Sequence, residues 1–213
     1  MANLFELPRY IAVEGPIRVG KSTLARILAE RLNAQRVMEP EANPFLDAFY
    51  EGERGAAFQA QFAFLVRRFE QLQALDLGSR SQKIVVADYI FEKDKIFANL
   101  NLADPELETY DRYYKMFRNQ VPTPDLVIYL QASVETLVHR VRKRGNPIEH
   151  GITEDYLRAL DEAYTRYFHG YGEGALLIVN SEKLNFVDNP DHLDLLVERI
   201  QKMRGGREFF NRA

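Results

Sequence analysis

Short apolar runs recur along the chain, with helix-patterned stretches between them. The runs are Tyr10 to Val13 (YIAV), Arg36 to Met38 (RVM), Ile84 to Asp88 (IVVAD), Leu126 to Gln131 (LVIYLQ) and Leu176 to Asn180 (LLIVN). They are nearly continuous in apolar character instead of alternating, which suits strands covered on both faces, as in a parallel sheet sandwiched by helices. Helical spacing covers Lys21 to Leu32, about Ala56 to Leu77, Pro105 to about Arg118, Val134 to Arg144, Glu154 to Phe168 and Asp191 to Met203. Ser133 and Thr153 stand where N-caps belong, with Thr136 three residues after Ser133, and Pro105 opens a helix after Asp104. The alternation predicts an α/β fold with a five-stranded parallel sheet flanked by helices. Gly205 and Gly206 begin a short tail, and no repeat or linker divides residues 1–213, so a single domain is expected.

Composition narrows the function classes. The chain has 213 residues, 46% of them hydrophobic, enough for one sizeable core. With 31 acidic and 28 basic residues the net charge is -3, which argues against nucleic acid as an obligatory partner. Absence of cysteine removes disulfides and thiolate metal sites. Neither a leader-like apolar run nor a membrane-length one is present, so a soluble cytoplasmic protein with no membrane partner is expected. His139, His150, His169 and His192 lack metal-ligand spacing and read as surface or capping residues.

The stretch EGPIRVGKST, from Glu14 to Thr23, fills GxxxxGK[ST] directly after a strand and directly before a helix. Gly15 and Gly20 let the backbone wrap phosphates, Lys21 adds charge, and Ser22 reaches Mg²⁺, so Gly15, Gly20, Lys21, Ser22 and Thr23 form the candidate ATP-binding set. A GTPase needs an Asn-Lys-x-Asp base reader, which NSEK at Asn180 imitates poorly, and motor ATPases need more chain; a small-molecule kinase fits better. Asp88, ending a strand beside this loop, is placed to orient the metal or its waters. Glu39 lies at the carboxyl end of the second strand, where α/β proteins put ligand sites, with Pro40 and Glu41 after it. Arg140 and Arg144 share a helix face in a lid of about residues 140–151 and are candidates to clamp a transferring phosphoryl group.

With these residues in place, the chain resembles the deoxyribonucleoside kinases, the family of deoxycytidine, deoxyguanosine and deoxyadenosine kinases. The likeness runs from Tyr10 to about Lys202 and rests on the P-loop, Glu39-Pro40, FYEGERGAAFQAQFAFLVRRFEQL, DYIFEKDKIFA, DLVIYLQASVETLVHRVRKRG and GITEDYLRALDEAY. The resemblance implies a P-loop NTPase fold with an arginine-bearing lid and ATP- and Mg²⁺-dependent 5′-phosphorylation of a deoxyribonucleoside. It implies that Glu39 is the general base, that Tyr50 and Glu149 hold the 3′-hydroxyl, and that Gln61, with Arg68 two turns on, reads the base. Asp94 falls, with a one-residue gap allowed, where relatives place an acid near the base; a carboxylate there favours an exocyclic amine and disfavours thymine. The segment most resembles bacterial purine deoxynucleoside kinases, so a purine is the expected preference. A homodimer follows from the family pattern and from the apolar load of Ala56 to Leu77 and Pro105 to Arg118.

Three positions depart from the pattern. Tyr89 stands where many relatives follow the strand-end acid with arginine, Asn146 replaces a third lid arginine, and Arg18 occupies a P-loop position that is usually smaller; a surface-pointing side chain is expected there. The missing arginine's contribution must come from elsewhere or be absent. Aromatic candidates to stack on a nucleobase are Phe58, Phe62, Phe64 and Phe91, most of which are expected in the core. Rival readings are a nucleoside monophosphate kinase such as thymidylate kinase, which needs arginines around its acceptor, and a nucleotide-dependent regulatory protein without chemistry of its own.

Overall fold

A computed structural model describes residues 8–40, 42–77, 83–145 and 151–211. Its strands are β1 (Tyr10–Glu14), β2 (Gln35–Val37), β3 (Val85–Ala87), β4 (Leu126–Gln131), β5 (Ala175–Asn180) and β6 (Arg207–Phe210), joined in one sheet of order β2-β3-β1-β4-β5-β6. Every pairing is parallel. The helices are α1 (Lys21–Arg31), α2 (Leu46–Tyr50), α3 (Ala56–Gln73), α4 (Lys93–Asn101), α5 (Asp104–Arg118), α6 (Val134–Arg144), α7 (Glu154–His169) and α8 (Pro190–Lys202). Ser133 accepts from the Thr136 amide and Thr153 from the Tyr156 amide, so both expected caps are made.

Side chains alternate across the central strands, and both sides are apolar. Tyr10, Ala12, Val127, Tyr129, Leu176 and Ile178 join one core layer, which α3, α4, α5 and α7 cover. Ile11, Val13, Ile128, Leu130, Leu177 and Val179 join the other, under α1, α6 and α8. That is the cause of the unbroken apolar runs. Burying each of the Val, Leu and Ile side chains among them contributes about 1.5–3 kcal/mol, so these strands hold the sheet's carboxyl edge firmly.

Several expectations change. The sheet has six strands, because the segment after Gly205 and Gly206 is β6 and pairs with β5 from Leu176↔Arg207 to Val179↔Phe210. Its REFF pattern is that of an edge strand with an open face, not of the buried runs that signalled the others. At the opposite edge β2 is short, with Gln35 and Arg36 exposed and only Val37 buried, so it is not covered on both faces. Helices α2 and α4 were not anticipated, and α3 stops at Gln73, short of Leu77. Among the described residues, no helix is long and apolar enough to cross a membrane.

Candidate active site

Because all strands run parallel, the residues that follow β1, β2 and β3 emerge at one edge of the sheet, beside the place where the chain crosses from β3 to β4 on the far side of β1. Such a switch point leaves a crevice in which α/β proteins bind ligands. The P-loop leaves β1 at Gly15, where a Cβ would strike the carbonyl oxygen of Leu130, so only glycine lets the loop pass this close to β4. Gly20, in a left-handed conformation, then starts α1 without a side-chain cap, presenting a helix N-terminus suited to phosphate. Lys21 is buried, and its Nζ donates to the carbonyls of Gly15 (2.8 Å) and Pro16 (2.9 Å), which holds the ammonium over the loop. Burial, and next the Lys93 charge, push Lys21 down to about 8; triphosphate oxygens would favour its charged form again.

Asp88 ties the two halves of the crevice together. Its Oδ2 accepts from the Ser22 hydroxyl at 2.6 Å and its Oδ1 from the Glu39 backbone amide, also at 2.6 Å. Ser22 and Asp88 offer hard oxygen donors, and among the described residues no group of three or more His, Asp or Glu could hold a metal alone. That donor set fits Mg²⁺, which keeps waters and takes phosphate oxygens to fill its shell.

Beyond the end of β2, Glu39 sits between two cations. Lys93 Nζ donates to both of its carboxylate oxygens at 2.6 Å, and Arg68 donates to Oε1. Burial raises the Glu39 pKa, but Lys93, Arg68 and Lys21 outweigh it and hold the carboxyl well below the usual carboxylate range. The other arm of the Arg68 guanidinium pairs with Asp94, which is fully buried. Arg68 therefore bridges Glu39 and Asp94 in addition to lying on the same face as Gln61. Its guanidinium also lies 4.7 Å from the centre of the Phe64 ring. Gln61 is buried near the start of α3, not on a solvated helix face. Asp94 Oδ2 and Arg68 Nε have no protein partner, two buried polar atoms left for something else to satisfy.

Tyr50 ends α2, and a Cβ on Gly151 would lie 3.6 Å from its Cδ1, so Gly151 packs beside Tyr50. Glu149, Asn146, His150 and Glu41 lie outside the described residues.

Arg140 turns inward. Its Nη1 donates to the carbonyl of Val19 (2.9 Å) and to Ser181 Oγ (3.3 Å), and its Nη2 to the carbonyl of Ser181 (3.3 Å). Arg144, one turn later, is exposed, so only the first arginine of the expected clamp meets the P-loop here. Arg140, Arg18 and Thr23 help line a cavity of about 390 Å³ whose far wall is Leu184, Phe186 and Val187. Arg18 is half-buried at φ 63°, an uncommon conformation for a non-glycine residue, and helps line this cavity. His192 is buried, not superficial: its Nδ1 accepts from the Asn185 amide (3.0 Å), fastening the cavity wall to α8. Phe91 stacks on Tyr114 inside the core and is no nucleobase platform.

Sequence reading missed Lys93, Glu14 and the wall from Ser181 to Val187. Glu14 is fully buried; its Oε1 accepts from the Gly15 amide and the Tyr164 hydroxyl, and its Oε2 from the Ile90 amide, so it braces the P-loop against α7 and the turn before α4. Burial pushes its pKa up, against the pull of Lys93 and Lys21.

A family model described as deoxynucleoside kinase matches residues 11–204. A deoxyguanosine kinase of Bacillus subtilis (strain 168) is 34% identical over 200 residues, covering 91% of this chain and 97% of that protein. A deoxyadenosine kinase of Lactobacillus acidophilus is 31% identical over 208 residues, 91% of this chain and 96% of that protein. Among solved structures, deoxyadenosine kinase from M. mycoides with products dCMP and a flexible dCDP bound superposes with a TM-score of 0.77 at 25% identity, over 92% of this chain and all of that one. The same enzyme with bound dATP gives a TM-score of 0.76 at 25% identity, over 90% of this chain and 98% of that one.

Proposed function

The chain belongs to the deoxynucleoside kinase family and has its α/β P-loop NTPase fold, and we propose how it moves a phosphoryl group from ATP to the 5′-hydroxyl of a deoxyribonucleoside. The carrying observation is that one carboxylate, Asp88, holds both the phosphate-loop serine and the backbone of Glu39. Donor and acceptor groups are thereby fixed at one place, and phosphoryl transfer is chiefly positioning and charge stabilisation.

In this reading Gly15, Gly20, Lys21, Ser22 and Thr23 hold the triphosphate, and Arg140 steadies the loop at Val19 from the lid side. Ser22 and Asp88 would hold Mg²⁺, which would supply neutralisation of phosphate charge. Glu39 takes the 5′-hydroxyl proton, Tyr50 and Glu149 hold the 3′-hydroxyl, Gln61 and Asp94 address the base, and Arg144 reaches the phosphates from the lid. A purine deoxynucleoside is the favoured acceptor, on the likeness to deoxyguanosine and deoxyadenosine kinases. The enzyme works in the cytoplasm as one kinase domain over residues 1–213.

A panel of the four deoxynucleosides with ATP and Mg²⁺ tests the reaction, with deoxynucleoside monophosphates as parallel acceptors. Monophosphates serving better than nucleosides would replace the reading by a monophosphate kinase, and ATP binding without product by a regulatory protein. Asp88→Asn is expected to raise the Mg²⁺ concentration needed for half-maximal rate about tenfold, since one charge leaves the metal's surroundings. Superimposable Mg²⁺ titrations would make Asp88 a purely structural group.

We also propose a homodimer through α3 and α5. Tyr113 and Met116 on α5 are exposed, and Tyr113 meets Phe62 of α3 edge to face, so the two helices share an apolar outer surface. Light scattering at micromolar concentration should give twice the chain mass; a monomer refutes it.

A further inference from the structure

We propose that Lys93 is a catalytic residue, the cation that stabilises the transferring phosphoryl group in place of the arginine that position 89 lacks. The proposal rests on the kinase reading above and assigns a role that reading leaves open.

Tyr89 cannot supply the charge. It is fully buried and uncharged, and its hydroxyl donates to Gln71 Oε1 at 2.5 Å. Four residues later, at the first position of α4, Lys93 is buried with its ammonium on both oxygens of Glu39. Both placements run against local preference, because a helix N-terminus disfavours cations and burial disfavours charge. A residue held where its local environment opposes it is a candidate for function. The Phe97 ring, 5.5 Å from Nζ, flanks the ammonium.

The location is the second argument. Lys93 contacts the acceptor base Glu39 directly, and its charge acts on both Lys21 of the phosphate loop and Glu14 beneath it. Asp88 ties the Glu39 amide to Ser22 of the phosphate loop, so the ammonium that Glu39 holds lies beside the crevice that donor phosphates and acceptor hydroxyl have to share. The phosphoryl group would pass there.

The charge flow gives the mechanism. As the 5′-oxygen to phosphorus bond forms and the bond to the leaving diphosphate oxygen breaks, the hydroxyl proton passes to Glu39. The Glu39 carboxylate becomes neutral, and negative charge spreads over the three equatorial phosphoryl oxygens. Lys93, with three donors of which two serve Glu39, shifts its attraction from the neutralised carboxyl to the phosphoryl oxygens. An interaction that strengthens in the transition state raises kcat and leaves substrate affinity nearly unchanged.

The test uses the full chain with ATP, Mg²⁺ and deoxyguanosine, comparing Lys93→Ala, Lys93→Gln and Lys93→Arg. Lys93→Ala is expected to lower kcat by about 10²–10³-fold, the loss seen when one donor to developing charge is removed. Nucleoside and ATP dissociation constants should stay within about threefold, and ethylammonium, but not propanol, should restore turnover. Lys93→Arg should recover most of the rate. Lys93→Gln gives the same readout should the alanine variant not fold. The acid limb of kcat/KM should also move to higher pH, because Glu39 has lost a cation that favours its ionised form. A shifted limb with a plateau kcat within about threefold of wild type overturns the proposal, since Lys93 would then only tune Glu39. Wild-type rates in Lys93→Ala beside a crippled Glu39→Gln overturn it while the kinase reading stands. A wild-type protein that phosphorylates no deoxynucleoside removes both.

Discussion

Glu39→Gln is expected to cut kcat by about a hundredfold or more while nucleoside binding stays nearly intact. The amide keeps the shape and the hydrogen-bonding reach of the carboxylate, so the 5′-hydroxyl still finds a partner, but nothing remains to take its proton. Burial alone would raise the carboxyl's pKa; Lys93, Arg68 and Lys21 together hold it well below the usual range. Glu39 is consequently ionised throughout the working pH range, and as the proposed base it would act by position and charge more than by basicity. The same shift fixes the sign of its stability contribution. A folded-state pKa below the unfolded value means stabilisation that is present above the ordinary carboxylate range and lost as pH falls through the folded value. Glu39→Gln removes that contribution at neutral pH and leaves Lys93 and Arg68 facing a neutral group, so the variant should also melt lower. Steady-state kinetics with thermal unfolding on the same preparation separates the two effects. An unchanged kcat would move the base elsewhere.

The parts of this molecule that obey local rules were legible in the sequence. The P-loop is a contiguous motif in a strand-to-helix context, and β1, β4 and β5 announce themselves because both faces are apolar. Strand β6 stayed hidden because an edge strand with an open face looks like a polar tail. Helix α4 stayed hidden because EKDK reads as a solvated charge run, yet Glu92, Lys93 and Asp94 are all buried. Their burial is a tertiary fact: Lys93 is matched by Glu39 from beyond β2 and Asp94 by Arg68 from α3. Only the crevice pairs them, and no periodicity along the chain encodes a partner more than twenty residues away. One signal was present, a lysine at a helix N-terminus, but it needs the helix boundary to be known first. Similarly, spacing put Arg68 on the Gln61 face, whereas its bridge to Glu39 depends on how α3 crosses the end of β2.

Thymidine is expected to be the poorest of the four deoxynucleosides, by about a hundredfold or more in kcat/KM, and Asp94 is the reason. Its carboxylate is fully buried, one oxygen spent on Arg68 and the other without a protein partner. A buried acceptor of this kind is satisfied by a donor from the substrate, and the exocyclic amines of adenine, guanine and cytosine are donors where thymine offers a carbonyl. Gln61 adds no such bias, since its amide can turn either way to accept from or donate to a base edge. Burial pushes the Asp94 carboxyl up to about 6 against the opposing pull of Arg68, which leaves it ionised at neutral pH. Protonation below that value would turn it into a donor, so discrimination against thymidine should weaken as pH falls through about 6. Asp94→Asn supplies the same change at neutral pH: its amide keeps one acceptor for Arg68 and offers thymine a donor, so the preference order should compress. Asp94→Ala also breaks a buried ion pair, a change that costs about 3–5 kcal/mol of stability, and should separate from the asparagine variant in melting temperature more than in selectivity. Rates for all four nucleosides at pH 7.5 and 5.5 in wild type and both variants decide the matter. Thymidine as the best wild-type substrate, or an asparagine variant with an unaltered order, takes Asp94 out of base selection and leaves it as an anchor for Arg68, acting on Glu39 alone.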